Sequence, residues 1–234
     1  MQNSQPVNCP WCLQGDAEPY FRRQWRLTFV TLCPQHRCQL LDRCAACAAP
    51  CHLHHVPRDA AAITCCYRCQ FDARRAGAPR VVRPADHHRL IQFQTSLVAA
   101  LHRGWYPLAP TASVPTEESL AVLKHLGRLL ITRHRAHALR RERRSPLETL
   151  AWEPSWLSSP ERTIEVLPVT DRGALMRLLA WWLDQWPEQF VAMCAMAQLT
   201  RTDLRSGFLA EPDWYAVAVA QVPQSRFAGM QWVS

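Results

Sequence analysis

The chain has 234 residues, 48% of them hydrophobic, with ten Trp and eleven Cys, enough to bury one fair core or two small ones. Its formal charge is +8, and of its 27 basic residues only Lys124 is a lysine. No stretch approaches the roughly 18 apolar residues needed to cross a bilayer, and Met1-Gln2-Asn3-Ser4-Gln5-Pro6 has neither the basic start nor the apolar run of a secretory signal. The expected compartment is therefore intracellular and reducing.

Arginine presents a planar fork suited to phosphate and carboxylate, and a basic surface of this kind favours nucleic acid. A GC-rich genome, which writes Arg for Lys everywhere, gives the same bias, so charge alone does not name the partner.

Residues 1–8 read as a polar tail. The stretch from Cys9 to Cys69 then carries ten of the eleven cysteines. They fall into Cys9-Pro10-Trp11-Cys12, Cys33-Pro34-Gln35-His36, Cys44-Ala45-Ala46-Cys47 and Cys66-Tyr67-Arg68-Cys69. Two intervening residues let both side chains of a tight knuckle reach one ion. Gaps of 20 residues inside the first quartet and 18 inside the second let two knuckles face each other and complete a tetrahedral zinc site. Four protein ligands leave no open position for water, so such a metal folds the chain and hydrolyses nothing. Its binding energy, roughly 10–16 kcal/mol per ion, is folding energy. Disulfides would need an oxidising compartment, and a thioredoxin-like pair would need a strand–helix setting that is absent.

Among the remaining cysteines, Cys65 adjoins Cys66, and only Cys66 keeps the two-residue gap to Cys69. Cys38 and Cys51 read as small buried side chains, with His52, His54 and His55 nearby as substitute ligands. Between the first two pairs, Trp25, Leu27 and Phe29 alternate as in a strand, while Phe21, Trp25 and Phe29 fit a helix, and periodicity does not decide. The aromatics are expected to pack over the first zinc site. Arg22, Arg23 and Arg26 are either a solvated rim or a phosphate or protein contact.

The runs Cys9 to Leu13, Pro19 to Val30 and Cys33 to Cys47 resemble the TniQ/TnsD family, target-selection subunits of transposons that use a DDE transposase and an AAA+ ATPase, CRISPR-associated ones included. The resemblance implies that Cys9, Cys12, Cys33 and His36 bind one zinc and Cys44, Cys47, Cys66 and Cys69 a second. It implies a bacterial cytoplasmic protein whose partners are an AAA+ transposition regulator of the TnsC/TniB kind, double-stranded DNA, a CRISPR effector complex in some members, and a second copy in a homodimer, with no membrane. Two features depart from the family. Its second site usually begins Cys-Pro-x-Cys-Gly, where this chain has Cys44-Ala45-Ala46-Cys47-Ala48. Its members carry a helical segment with a helix-turn-helix before the first zinc pair, where this sequence has eight residues, so the chain reads as a short member.

Beyond Cys69, residues 73–85 read as a linker. Asp86 is expected to cap a helix running to about His102, with Leu90, Phe93, Leu97 and Leu101 on one face. Gly104 and the prolines at 107, 110 and 115 end it. A longer helix opens at Thr116 or Glu117 and buries Leu120, Leu123, Leu126, Leu130 and Ile131. It runs into Arg133, Arg135, Arg140, Arg141, Arg143 and Arg144, more positive charge than a helix dipole calls for, which is either a nucleic-acid or acidic-partner contact or a plain solvated face. Trp152 and Trp156 lie in an irregular crossing. Asp171 is expected to cap a helix with the apolar stripe Leu175, Leu179, Trp182, Leu183 and Trp186, broken by Pro187. Helices at 188–198 and 202–208 across a short turn form a candidate helix-turn-helix. The run from Trp181 to Phe190 and the stretch Glu211 to Tyr215 also look like the C-terminal helical domain of TniQ-like proteins.

The seven glycines form no phosphate-cradling loop, and there is no His-Glu-x-x-His. Asp86-His87-His88 resembles the opening of an HNH nuclease but has no downstream partner pair. The expected fold is mainly α with small zinc-ribbon or zinc-knuckle elements: a double zinc domain over 1–72, then a helical bundle over 86–234. The expected function is non-enzymatic: a TniQ-like targeting protein, with a zinc-ribbon DNA-binding regulator and a protein-only adaptor as alternatives.

Overall fold

The computed structural model describes residues 6–77, 84–131, 155, 163–208 and 210–224, the side chains of 84–87 excepted. Its helices are α1 (Pro10–Gly15), α2 (Pro84–Arg103), α3 (Thr116–Leu130), α4 (Val169–Trp182), α5 (Glu188–Met196), α6 (Arg201–Arg205) and α7 (Asp213–Val219). Strands β1 (Trp105–Ala109) and β2 (Ala112–Pro115) form a hairpin, and 3-10 turns occupy Arg23–Arg26, Leu53–His55, Ala73–Arg75 and Ile164–Val166. The protein is mainly helical, with two Cys/His groups near its N-terminus, as its sequence leads one to expect. The chain gathers into two compact units, one of Met1–Thr95 with Thr163–Met176, the other of Ser96–Arg162 with Arg177–Ser234.

The first unit has little regular structure up to Ala76, and its backbone groups are satisfied by isolated antiparallel bridges: Asn8 with Leu41, Leu32 with Gln39, Arg43 with Pro50, and Cys65 with Asp72. Around them Val7, Leu13, Trp25, Phe29, Leu32 and Leu40 are fully buried. The ambiguous stretch after Tyr20 is neither strand nor α-helix. It makes a 3-10 turn over Arg23–Arg26, with Phe21 edge-on to Trp25 at 6.0 Å.

Two helical segments hold this irregular region by polar contacts that loops cannot make for themselves. From α2, Gln94 is buried; its Oε1 accepts the backbone N–H groups of Thr31 (3.2 Å) and Leu32 (3.3 Å), and its Nε2 donates to the Leu32 carbonyl (2.6 Å). At the start of α4, the Asp42 carboxylate accepts the Val169 N–H at 2.8 Å, an anion against the positive end of a helix. One turn on, the fully buried Arg172 donates from Nη1 to the Thr28 carbonyl at 3.2 Å. Burial lowers its guanidinium to about 10, with the nearby charge of Asp42 acting the other way.

α2 begins at Pro84, two residues before the expected cap at Asp86, and buries Leu90, Phe93 and Leu97 as expected. Leu101 departs from the expected stripe and is 43% exposed, the helix turning its last face outward. α4 likewise starts at Val169 rather than at a cap on Asp171; Asp171 sits in its first turn, and the cap comes from Asp42 in distant sequence.

In the second unit Gly104, at φ +83, follows α2 in the left-handed conformation that favours glycine. The chain then forms a hairpin where only a helix-ending loop was expected, pairing Trp105 with Pro115, Tyr106 with Val114 and Pro107 with Ser113. In a two-stranded sheet every strand is an edge, so the prolines withhold no N–H that a third strand would need. Tyr106 and Val114 face inward. α3 opens at Thr116, whose hydroxyl donates to the Ala100 carbonyl at 2.9 Å, and buries Val122, Leu123, Leu126 and Leu130. The aromatic run condenses into one cluster. Trp182 stacks on Phe190 at 5.8 Å and donates from Nε1 to its carbonyl, Trp186 packs on Phe190 at 4.6 Å, and Tyr215 closes the group against Phe190 at 5.7 Å. Trp214 meets Trp186 at 5.3 Å and donates to the Glu118 carboxylate at 2.9 Å. Helix α6 has only five residues, opened by a reciprocal cap between Thr200 and Asp203.

Candidate metal centres

Three of the four ligand pairs fold into one backbone device. In the knuckle at Cys33 the N–H of Cys33 donates to the carbonyl five residues on, at Cys38 (2.8 Å), and the N–H of Arg37 returns to the Cys33 carbonyl (2.8 Å). The same two bonds recur at Cys44, from Cys44 to Ala49 (2.8 Å) and from Ala48 to Cys44 (2.9 Å), and at Cys66, from Cys66 to Phe71 and from Gln70 to Cys66 (both 2.9 Å). The residue after the second ligand takes positive φ every time: Arg37 at 50°, Ala48 at 56°, Gln70 at 60°. Positive φ of this kind favours glycine, and here all three turns are made without one. In each knuckle a backbone N–H also points at the first sulfur from 3.4 Å, from His36 to Cys33, from Ala46 to Cys44 and from Arg68 to Cys66. Such donors stabilise thiolate.

The fourth pair is built differently. Cys9 stands just before α1 and Cys12 within it, with Pro10 at the first helical position, where its missing N–H costs nothing. This helix faces the Cys33 knuckle. Cys9, Cys12, Cys33 and His36 offer donors that all lie within 4.8 Å of one another, as do Cys44, Cys47, Cys66 and Cys69.

Tetrahedral zinc at about 2.3 Å from sulfur and 2.0–2.1 Å from nitrogen sets edges of about 3.8 Å between sulfurs and about 3.5 Å from sulfur to nitrogen. In the first group His36 Nδ1 lies 3.5, 3.3 and 3.6 Å from the sulfurs of Cys9, Cys12 and Cys33, and Cys12 lies 3.5 Å from Cys33. In the second, Cys44 lies 3.6 Å from Cys69 and Cys47 lies 3.7 Å from Cys66. These six distances lie within about 0.3 Å of the edges a tetrahedral ion sets, and the remaining donor pairs lie within 4.8 Å. Burial and the neighbouring Cys33 push the Cys12 thiol up, the expected strain of crowded sulfurs that a cation relieves.

Their surroundings differ. Cys9, Cys12 and Cys33 are buried, and the His36 ring is met edge-on by Trp11 at 5.8 Å. Cys69 is exposed, and its three companions are half-buried. Cys66, not Cys65, completes the second group; Cys65 is buried outside it. Cys38 touches the first group at 3.6 Å from Cys9, occupying the knuckle position that Ala49 and Phe71 fill elsewhere, and its thiol is pushed up by its contacts with Cys33 and Cys9. Cys51 accepts from Asn8 Nδ2 at 3.5 Å, and burial raises its thiol to about 12. His52, His54 and His55 substitute in neither group but form a third cluster of their own.

Of the basic residues expected to meet a partner, Arg22 forks onto Asp16 (2.9 and 3.1 Å) and lies over the rings of Tyr20 and Trp25, each at 4.8 Å. Arg23 and Arg26 are exposed on the same 3-10 turn. Arg133, Arg135, Arg140, Arg141, Arg143 and Arg144 lie outside the described residues, as do Trp152 and Trp156. Sequence spacing gave no hint of Asp42 or Gln94, whose partners lie 127 and 62 or 63 positions away. Among the described residues no helix is long and apolar enough to cross a membrane.

Comparison with curated proteins gives no match, and comparison with solved structures gives none. A family model does match: TniQ, over residues 1–40. That span contains all four donors of the first group and stops short of the second. The match makes the N-terminal segment built around Cys9, Cys12, Cys33 and His36 similar to the TniQ family, whose members are associated with transposition, over 40 of the 234 residues.

Proposed function

We propose that the protein is a non-enzymatic targeting subunit of a transposition system, with two structural zinc ions holding its N-terminal region. In this reading the zinc ions supply folding energy and no chemistry, since each is enclosed by four protein donors. The chain presents surfaces: one to the target, as double-stranded DNA or as a guide-RNA effector complex, and another to an AAA+ regulator of the TnsC/TniB kind. Exposed Arg23 and Arg26, together with the run from Arg133 to Arg144, are the proposed phosphate contacts; Arg22, already committed to Asp16, serves mainly to hold the turn. The double zinc domain over 1–72, the linker over 73–85 and a helix-turn-helix at 188–208 remain part of the proposal.

The observation that carries it is the TniQ match coinciding with the first donor group. The test is a salt titration of duplex binding. Phosphate contacts make affinity fall steeply with salt, and the double substitution Arg23→Ala with Arg26→Ala should lower the slope by one to two phosphate contacts. Duplex binding with no salt dependence would remove the phosphate reading. A chain that binds no duplex yet retains an AAA+ ATPase from its own system would be a protein-only adaptor.

A further inference from the structure

The cluster of His52, His54 and His55 is not used by either four-donor group. It arises from the local backbone. Leu53–His55 is a 3-10 turn, closed by hydrogen bonds from His55 N–H to the His52 carbonyl (3.2 Å) and from Val56 N–H to the Leu53 carbonyl (3.3 Å). With three residues per turn, positions three apart stand one above the other, which brings the His52 and His55 rings to 5.2 Å. His54 packs edge-on to His55 at 4.2 Å and to His52 at 5.5 Å. Tyr67, carried by the Cys66 knuckle, lies against His52 and His55 at 5.7 and 5.5 Å.

We propose that His52, His54 and His55 form a third metal site, open where the other two are closed, that takes a borderline divalent ion such as Zn2+ through three imidazole nitrogens with water in the remaining position. One nitrogen from each ring lies within 4.8 Å of the other two. A tetrahedral ion at 2.0–2.1 Å needs about 3.4 Å between nitrogens, and side-chain rotation of the exposed His54 and His55 closes that difference. A second observation points to a ligand. His52 Nδ1 is buried and has no hydrogen-bond partner among the described residues, a condition native structures rarely leave uncompensated. Three neutral nitrogens without a carboxylate among them select zinc, copper, nickel or cobalt over magnesium or calcium. The inference does not depend on the transposition reading, because it concerns only the turn and its three rings.

The experiment counts zinc. The reduced 234-residue chain is equilibrated with excess Zn2+, freed of unbound metal and analysed in two steps. A mild chelator alone should remove one ion per chain, and a thiol-blocking mercurial should then release two more, which are bound to thiolate. The triple substitution His52→Ala, His54→Ala, His55→Ala should lose the first ion and keep the other two. If that variant does not fold, His54→Ala alone, at an exposed position, should weaken the chelator-accessible ion about ten-fold or more. The proposal is overturned if wild-type protein holds only two ions, or if the chelator-accessible ion survives these substitutions.

Discussion

The two four-donor groups differ by one ligand, His36 in the first where the second has a fourth cysteine, and differ more in what surrounds them. The first joins a helix to a knuckle, and its three cysteines are buried, as are Leu13 and Leu32 beside them in sequence. The second joins two knuckles and leaves Cys69 in solvent. A buried centre shares its atoms with the hydrophobic core, so losing the ion also loses the packing. An exposed centre mainly closes a loop, here the stretch from Cys47 to Cys66. Two four-donor sites of similar size therefore predict unequal consequences.

The largest test of that difference is removal of one ligand from each. Cys33→Ser takes away a zinc worth roughly 10–16 kcal/mol, as much as the whole stability of an ordinary domain, and should abolish cooperative unfolding of the first unit. Cys69→Ser should lower protection only around residues 44–72 and leave the Leu32–Leu40 amides slow to exchange. Hydrogen exchange resolved by residue reads both. Equal loss of protection across residues 7–72 in the two variants would mean that the groups form one centre energetically, and the contrast would be gone. Metal removal gives a kinetic version of the same comparison. Once a mild chelator has cleared any ion held by His52, His54 and His55, a strong chelator should draw the second group's ion before the first group's. This thiolate-bound release should have two phases, with the slower one lost in Cys33→Ser. A single phase in the wild-type protein would contradict the burial argument.

The ligand pairs could be read from the sequence because a knuckle is a local object: two residues between ligands fix its reach, and the hydrogen bonds at Cys33, Cys44 and Cys66 all close within five residues. The apolar stripes of α2 and α3 were legible for a similar reason, since periodicity needs only one helix, except at their ends, where Leu101 is exposed and Leu120 only half-buried. What failed was either non-local or set by exposure. Asp171 offered a plausible cap by position, yet the cap is Asp42, which no spacing rule links to Val169. The hairpin at 105–115 was hidden by prolines that argue against a strand in general but not against an edge. Arg22 looked like Arg23 and Arg26 in sequence, and the Asp16 carboxylate and the rings of Tyr20 and Trp25 separate them.

Asp42 sharpens the comparison from the side of the first group. It caps α4 and places a negative charge near Arg172, whose Nε and Nη2 have no hydrogen-bond partner among the described residues. Asp42→Asn keeps an oxygen for the Val169 N–H but removes the charge, and should cost about 2–3 kcal/mol. Adding Arg172→Met should recover part of that loss, because a buried cation without its counter-charge disappears with it. Denaturant unfolding of the metal-loaded variants measures both effects. If the double variant is less stable than Asp42→Asn by the full cost of deleting Arg172, the two residues act independently.

The smallest effect concerns the turn after each knuckle. Arg37, Ala48 and Gln70 hold φ near 50–60°, a region that costs an L-residue roughly 1–2 kcal/mol. Glycine removes that cost but brings a more mobile unfolded chain, which takes back roughly 0.5–1 kcal/mol. Replacing each with glycine should therefore stabilise its own knuckle by about 0.5–1 kcal/mol. The location of the gain is the informative part. Arg37→Gly, in the buried group, should raise the unfolding midpoint of the first unit. Ala48→Gly and Gln70→Gly, in the exposed group, should leave that midpoint nearly fixed and instead slow the fast phase of metal release. Should all three move the global midpoint equally, the second group unfolds with the core after all, and solvent exposure at Cys69 says nothing about how firmly its ion is held.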